Sequence, residues 1–300
     1  MNNYLSELTV IIVTFKTNDK VLNNCLKSIN SEVKTLIIEN SNKLDNKDQI
    51  ESEFKNVEVI FSGENLGMGR GNNFGLNKVK TKYALILNPD VICEKNFFSN
   101  INRFLSGSID FTLIGGVYDR LTDYKPAGLF NDADLTESNF DKELNLYDVD
   151  WVGGHTILVN LNKFQNKNIF DESFFLFFEE TDLCKSVKKK KEKVYMSPDL
   201  KIDHLGWKGS FATDEKFEIE SIKLRNWHYM WSLFYYNKKN NGYLFALSKT
   251  IMRLIRSIIR IIYYSITFNT KERTIYTYRF LGLINSIFLK KSYFRIEFKD

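Results

Sequence analysis

Four short runs of apolar, largely β-branched residues constrain this chain more than any other feature. They are Leu8-Thr-Val-Ile-Ile-Val-Thr14, Thr35-Leu-Ile-Ile38, Val57-Glu-Val-Ile-Phe61 and Tyr83-Ala-Leu-Ile-Leu87. A run that stays apolar without alternating reads as a strand buried on both faces. Between runs the period changes. Asn18 can cap a helix in which Val21, Leu22, Cys25, Leu26 and Ile29 recur at helical spacing. Helical stretches also precede the third and fourth runs. Short buried strands alternating with helices imply βαβ units, a largely parallel sheet and the α/β class. In such sheets the ligand crevice lies at the carboxyl ends of the strands. The segments to examine are therefore Thr14 onward, Glu39-Asn-Ser41, Gly63 to Gly75, and Asn88-Pro-Asp90.

The chain has 300 residues, enough for one large domain or two modest ones, and only 3 prolines, which argues against long flexible linkers. Its 3 cysteines, Cys25, Cys93 and Cys184, are scattered and odd in number, so they build neither a disulfide framework nor a zinc ribbon. They fit a reducing compartment. The first twenty residues lack the basic start and apolar run of a secretory signal. The net charge of +5 hides a division: residues 237–300 hold 13 Lys/Arg against 3 Asp/Glu, so residues 1–236 carry a net −5. A mildly acidic body of this kind is not a nucleic-acid binder. The pattern fits a catalytic or binding domain over 1–236 followed by a basic, apolar docking region over 237–300, although a helical subdomain with a solvated basic face reads the same way. From Phe111 to Asn160 the chain turns to irregular strands and polar loops. Residues 182–193 and 214–236 read as helices and Lys201–Leu205 as a short strand.

Several segments carry chemistry, each with a plainer alternative. Asn65-Leu-Gly-Met-Gly-Arg-Gly-Asn-Asn-Phe-Gly75 fails the spacing of a dinucleotide fingerprint, because Asn72 stands where the third glycine belongs, and it lacks the ending of a P-loop. It remains a tight turn that opens a helix at a strand's carboxyl end, where backbone N–H groups meet anions. Asp90, after Asn88-Pro, is placed either as a turn residue or as a ligand for a hard cation. In Phe174-Phe-Leu-Phe-Phe-Glu-Glu-Thr-Asp-Leu-Cys184 an apolar wall stands before Glu179, Glu180 and Asp182. The wall raises carboxyl proton affinity, which suits a general base, yet acids are also at home in a first helical turn. His204 is a ligand candidate or a structural histidine. The run Lys188–Lys191 marks a solvated helix face.

Taken in order, these pieces are far more specific than any one of them. Thr9-Val-Ile-Ile-Val-Thr14, Ile38-Glu-Asn-Ser41, Asn65-Leu-Gly67 through Gly75, Leu87-Asn-Pro-Asp-Val91, Trp151-Val-Gly-Gly154, Phe170-Asp-Glu-Ser-Phe-Phe175, Phe178-Glu-Glu-Thr-Asp-Leu-Cys184 and His204 together resemble the family 2 glycosyltransferases. The similarity spans about residues 6–235 and is greatest to the rhamnosyltransferase-like branch that builds bacterial surface polysaccharides. It implies a GT-A fold and inverting transfer from a nucleotide-diphosphate sugar, dTDP- or UDP-linked, with Mg²⁺ or Mn²⁺. By that resemblance Thr14, Glu39, Asn65, Gly67, Asn72, Asn88 and Asp90 bind the donor. Glu39, where aspartate is more usual, contacts the base, and Asp90 and His204 hold the metal. Glu180 is the general base, with Glu179 as its fallback. Trp151, Gly153, Gly154 and His155 form an acceptor floor, since two glycines allow close approach and an aromatic ring stacks on a sugar face. A tight turn under a core tryptophan is the alternative.

The implied acceptor is a lipid-linked glycan at the inner face of the cytoplasmic membrane. A catalytically weak sugar-nucleotide scaffold of the same fold is the rival function. A nucleotidyltransferase would need a basic, glycine-rich loop after the first strand, which Thr14-Phe-Lys-Thr-Asn-Asp19 does not supply. Tyr243–Phe268 is long enough to cross a bilayer core of about 30 Å. Lys249, Arg253, Arg256 and Arg260 in its middle oppose crossing, and their spacing places them on one helical stripe. Such a helix lies in the membrane interface, or else packs against the catalytic domain or a second subunit in a homo-oligomer.

Overall fold

The computed structural model describes residues 3–107, 109–118, 127–131, 133–204 and 217–296. In chain order the elements are β1 (Leu8–Thr14), α1 (Asp19–Lys27), β2 (Lys34–Glu39), α2 (Lys47–Glu53), β3 (Val57–Phe61), α3 (Gly67–Lys78), β4 (Tyr83–Leu87), β5 (Val91–Cys93), α4 (Phe97–Ser106), β6 (Leu113–Tyr118), β7 (Ala127–Gly128), β8 (Phe140–Asp141), β9 (Leu146–Asp148), β10 (Trp151–Val152), β11 (Thr156–Asn160), α5 (Glu179–Lys189), β12 (Val194–His204), α6 (Glu218–Asn241), α7 (Tyr243–Ile266) and α8 (Thr270–Ile287). The four apolar runs are β1 to β4, and the Asn18 side chain caps α1 by accepting from the N–H groups of Lys20 and Val21. Leu205 and residues 214–216, expected in the strand at 201–205 and the helix at 214–236, lie outside the described residues, as do 297–300 of the tail.

The large sheet runs β3-β2-β1-β4-β11-β6-β12-β9-β8, with β5 added to β12. Its first four strands are parallel, and beyond β4 the ladder is mixed. Every residue of β1 is buried, and its side chains divide between two cores as a strand's alternation requires. Val10 and Ile12 join Leu22, Ile37, Phe97 and Phe104 on one face, whereas Ile11 and Val13 join Leu36, Ile38, Leu76 and Leu183 on the other. The chain moves outward from β1 to β3 and then returns to place β4 on the other side of β1. That reversal opens a crevice at the carboxyl ends of β1 and β4, the switch point of the sheet.

The helix expected at 182–193 runs instead from Glu179 to Lys189, and the one expected at 214–236 continues to Asn241; two further elements differ more deeply. The glycine-rich segment is not a loop that opens a helix; it is the body of α3 from Gly67 onward. The reason is packing. A Cβ on Gly75 would stand 2.7 Å from Ile11 Cγ2 and 2.9 Å from Ile38 Cγ1, and one on Gly71 3.0 Å from Val13 Cγ1, so the glycines let α3 lie close on β1 and β2. The strand expected at Lys201 begins seven residues earlier, at Val194, and its pairing with β6 shifts register between Met196 and Lys201.

The chain forms two compact units: residues 1–171 with 180–211, and residues 172–179 with 212–300. The boundary expected at 236/237 falls inside α6, an unbroken helix that belongs to the second unit. In that unit Met230, Phe234, Ala246 and Leu283 form the core of α6, α7 and α8. Gly282 of α8 faces the backbone of Trp227 so closely that no Cβ fits there. Phe177 and Phe178 both hold left-handed backbone, φ 68 each, an arrangement that costs a bulky residue about 1–3 kcal/mol. Their rings pack against Tyr229, edge-on for Phe177 and tilted for Phe178, and that of Phe178 also against Tyr236, which holds them in it.

His228 is buried in this unit, with Phe175 and Phe294 against its ring. Nε2 lies 2.8 Å from the Phe294 carbonyl and Nδ1 lies 3.1 Å from Ser292 Oγ, a pairing that a neutral imidazole satisfies by donating at Nε2 and accepting at Nδ1. Burial, helped by Arg295 and opposed by the Phe294 carbonyl, pushes its pKa down to about 3. The folded value is thus below the unfolded value of about 6.5, so the unfolded chain binds the extra proton between them. The stability due to neutral His228 is complete above about pH 6.5 and is lost on acidification toward 3, by up to about 1.4 kcal/mol per pH unit. His228→Gln should flatten that part of a melting-temperature profile against pH. Equal slopes in both proteins would contradict the assignment.

Candidate active site

The first part of the site lies at the carboxyl ends of β1 and β2. Thr14, paired in register with Glu39, donates its hydroxyl to Glu39 Oε2 at 2.6 Å, and Ser41 donates to Oε1 at 2.7 Å. Glu39 is buried, and burial raises its pKa while the Thr14 and Ser41 hydrogen bonds oppose the rise. Asn40 donates from Nδ2 to the Gly67 carbonyl, and Asn65 Oδ1 accepts from the Gly67 N–H. Asn65 and Gly67 thus secure the start of α3 beside the crevice. Asn72 and Asn88 keep buried Oδ1 atoms without a hydrogen-bond partner, as does Asn40. Buried amide oxygens of this kind ordinarily find a donor, and a ligand supplies one.

The second part is made by β5 pairing antiparallel with β12, which sets His204 opposite Val91 and so beside Asp90. His204 Nε2 lies 3.5 Å from Asp90 Oδ1. Asp90 is buried, 3% exposed, and His204 is partly open. His155 joins them: its ring lies 5.4 Å from that of His204 and 5.3 Å from that of Tyr118. It is as buried as Asp90, and neither ring nitrogen has a hydrogen-bond partner. Burial first and His204 second push its pKa down to about 3, against the pull of Asp90, so His155 is neutral. His155 therefore stands with Asp90 and His204, whereas sequence reasoning placed it in the acceptor floor.

Among the described residues no group of three or more His, Cys, Asp or Glu is arranged to hold a metal. The pair Asp90 and His204 nonetheless fits Mg²⁺ or Mn²⁺. Such ions take few protein ligands, commonly one or two carboxylates, and fill the remaining positions with phosphate oxygens and water.

The third part follows directly along the chain. His155 ends the segment Trp151-Val-Gly-Gly-His155, and its carbonyl accepts from the Asn88 N–H. A Cβ on Gly154 would lie 3.4 Å from Glu180 Cγ and 3.5 Å from Cδ, so the Glu180 side chain lies over Gly154. Glu180 sits in the first turn of α5. Burial raises its pKa, and hydrogen bonds from the Glu180 and Thr181 backbone oppose the rise. Glu179 is grouped with the other compact unit. Trp151 is half-buried, and its ring covers Gly128 across the β10–β7 pair. Gly153 links that pair to the turn at Gly154–His155.

One continuous line of neighbours thus runs Asp90, His204, His155, Gly154, Glu180. Sequence reasoning missed Ser41 and Tyr118. Ser41 stood within a quoted segment, but its bond to Glu39 had no signal; Tyr118 lies in the tract read as irregular.

Residues 9–145 match the family described as Glycosyl transferase family 2. The chain is 25% identical over 191 residues to a low-salt glycan biosynthesis hexosyltransferase of Haloferax volcanii, covering 60% of this chain and 61% of that protein. It is 26% identical over 201 residues to a rhamnosyltransferase of Escherichia coli, covering 59% of this chain and 75% of that protein. In fold it is similar to a mannosyltransferase of Pyrobaculum calidifontis in complex with GDP-Man and Mn²⁺. That likeness has a TM-score of 0.54 at 11% identity and covers 95% of this chain and 88% of that one. It is a likeness of GT-A architecture.

Proposed function

For a chain whose residues 9–145 match glycosyl transferase family 2, we propose an inverting enzyme that moves a sugar from a nucleotide-diphosphate donor to a lipid-linked glycan. It works at the cytoplasmic face of the membrane, in the synthesis of a surface polysaccharide. The observation that carries this reading is the line from Asp90 to Glu180, which sets a carboxylate of raised proton affinity close to a cation-ready pair. Glu39, held by Thr14 and Ser41, accepts from the N–H groups of the nucleobase. Asp90 and His204 hold a divalent ion at the diphosphate, and the ion when bound neutralises charge gathering on the leaving group. Glu180 accepts the proton of the acceptor hydroxyl as that oxygen attacks the anomeric carbon from the face opposite the diphosphate. The leaving diphosphate needs no proton, so one carboxylate suffices and no hydrolase-type pair is required.

Trp151, half-buried over Gly128, offers a ring for the acceptor sugar to stack on. Trp151→Ala should raise the acceptor KM about fivefold with donor KM unchanged, since one stacked ring contributes on the order of 1 kcal/mol. An unchanged acceptor KM in a folded variant removes Trp151 from the site. The proposal as a whole is tested by melting the protein with dTDP-, UDP- and GDP-linked sugars in Mg²⁺ or Mn²⁺. A donor at 100 times its Kd stabilises the fold by about 2.7 kcal/mol. A metal-dependent shift with one nucleotide series is expected, and no shift with any of them contradicts the reading. Binding without turnover would favour the scaffold alternative.

A further inference from the structure

Helix α7 turns most of its large apolar residues away from its neighbours. The residues it buries against its neighbours are small: Ala246, Thr250 and Ser257. The two hydroxyls are satisfied within the helix, Thr250 donating to the Ala246 carbonyl and Ser257 to that of Arg253, so the inward stripe asks for no other polar partner. Leu247 and Leu254 pack partly buried beside these small residues against the core, whereas the isoleucines are outside. Ile251, Ile255, Ile258, Ile259, Ile262 and Ile266 are all exposed, Ile259 by 59%, Ile262 by 57% and Ile266 by 71%. At 3.6 residues per turn these six fall on the side of the helix opposite the buried stripe. A soluble bundle places such residues the other way round, and a contiguous apolar face of this kind marks an interaction site.

The charge pattern says what covers it. Lys249, Arg253, Arg256 and Arg260 form a strip along one flank of the isoleucine face, between it and the buried stripe. The 24 residues of α7 include no Asp or Glu. Lys249 and Arg260 rest on aromatic rings of the same helix, those of Phe245 and Tyr264, rather than on a carboxylate. A second copy seated on this face through a two-fold axis brings a surface that also has no acid on it, so the cations gain no counter-charge. A layer of anionic headgroups over acyl chains supplies both needs: the isoleucines enter the apolar layer and the cations meet the headgroups. Crossing is not an option, since no helix among the described residues is long and apolar enough to span a membrane.

We propose that α7 is a membrane-docking helix that lies flat on an anionic lipid surface, with its isoleucine face in the acyl boundary. This goes beyond the reaction at the sugar-transfer site and names the surface on which that reaction takes place. The full-length protein is floated with vesicles of phosphatidylcholine alone and of phosphatidylcholine mixed with phosphatidylglycerol. Binding to the mixed vesicles only is expected. Ile255→Gln/Ile259→Gln should weaken it at least about tenfold, since each buried side chain contributes roughly a factor of ten or more. Arg253→Gln and Arg256→Gln should each weaken it about fivefold at low salt, an effect that shrinks as salt rises. All four positions are exposed, so helix content by circular dichroism should stay unchanged. Equal binding to both vesicle types, or binding that the isoleucine variants leave intact, overturns the proposal. So does light scattering that shows a dimer dissociated by Ile255→Gln/Ile259→Gln in a protein that binds neither vesicle. Vesicle binding needs no turnover, so a protein that docks but transfers no sugar contradicts the proposed reaction and not the docking face.

Discussion

Glu180→Gln is expected to bind the sugar nucleotide as the parent protein does and to lose transfer by at least about 10²-fold, the usual loss when a positioned general base is removed. The substitution keeps the shape of the side chain over Gly154 and removes only the capacity to take a proton. Burial holds the Glu180 carboxyl above the ordinary carboxylate range, against the backbone N–H groups of Glu180 and Thr181. In the proposed role Glu180 acts as a base and must be ionised. The rate of the parent enzyme should therefore fall as pH drops through that raised pKa, at a higher pH than for an exposed carboxylate. Steady-state kinetics with a donor-saturation arm check both statements. If Glu179→Gln loses transfer while Glu180→Gln stays active, the base is Glu179.

Asp90→Ala should cost more at an earlier step. Asp90 is buried and lies 3.5 Å from His204, so on the proposed assignment its removal takes away the carboxylate of the cation pair and leaves the imidazole alone. The ion's stabilisation of developing charge amounts to several kcal/mol, which corresponds to a loss of at least about 10³-fold in kcat/KM. Donor affinity should lose its dependence on Mg²⁺ or Mn²⁺ as well. Calorimetric titration of donor with and without the ion separates this variant from Glu180→Gln, which keeps the dependence. Unchanged metal dependence in Asp90→Ala contradicts the assignment.

How far the sequence went depended on how local each feature is. A strand buried on both faces is a continuous apolar run, so β1, β2, β3 and β4 could be read directly. Helix α3 could not. Each glycine disfavours an isolated helix by about 1 kcal/mol relative to alanine, and only close approach to Ile11 and Ile38 shows why glycine is needed there. The start of β12 was hidden for a similar reason. Pro198 and the charged residues before Val194 argue against a strand, yet the proline sits inside the register shift, where no ladder hydrogen bond is asked of it. The boundary drawn at 236/237 followed charge, which is a surface property, while the compact units follow packing. Asp90, Glu180 and His204 carried a signal because each stands at an element's end in a recognisable order. That His155 would join Asp90 and His204 was not legible, because it depends on β11 pairing with β4 and β5 with β12. The outward face of α7 was half visible: spacing revealed the cationic stripe, but only the burial of Ala246, Thr250 and Ser257, with Leu247 and Leu254 beside them, shows that the isoleucines face outward.

The proposed transfer uses a single base that acts across the anomeric carbon from a departing diphosphate. The most direct test is the anomeric configuration of the product, read by nuclear magnetic resonance from one round of transfer by the full-length protein. A one-step displacement assisted by Glu180 predicts a linkage of configuration opposite to that of the donor. A product that retains the donor's configuration would require a second nucleophile or a different path, and would contradict the assignment of Glu180 as the sole catalytic carboxylate.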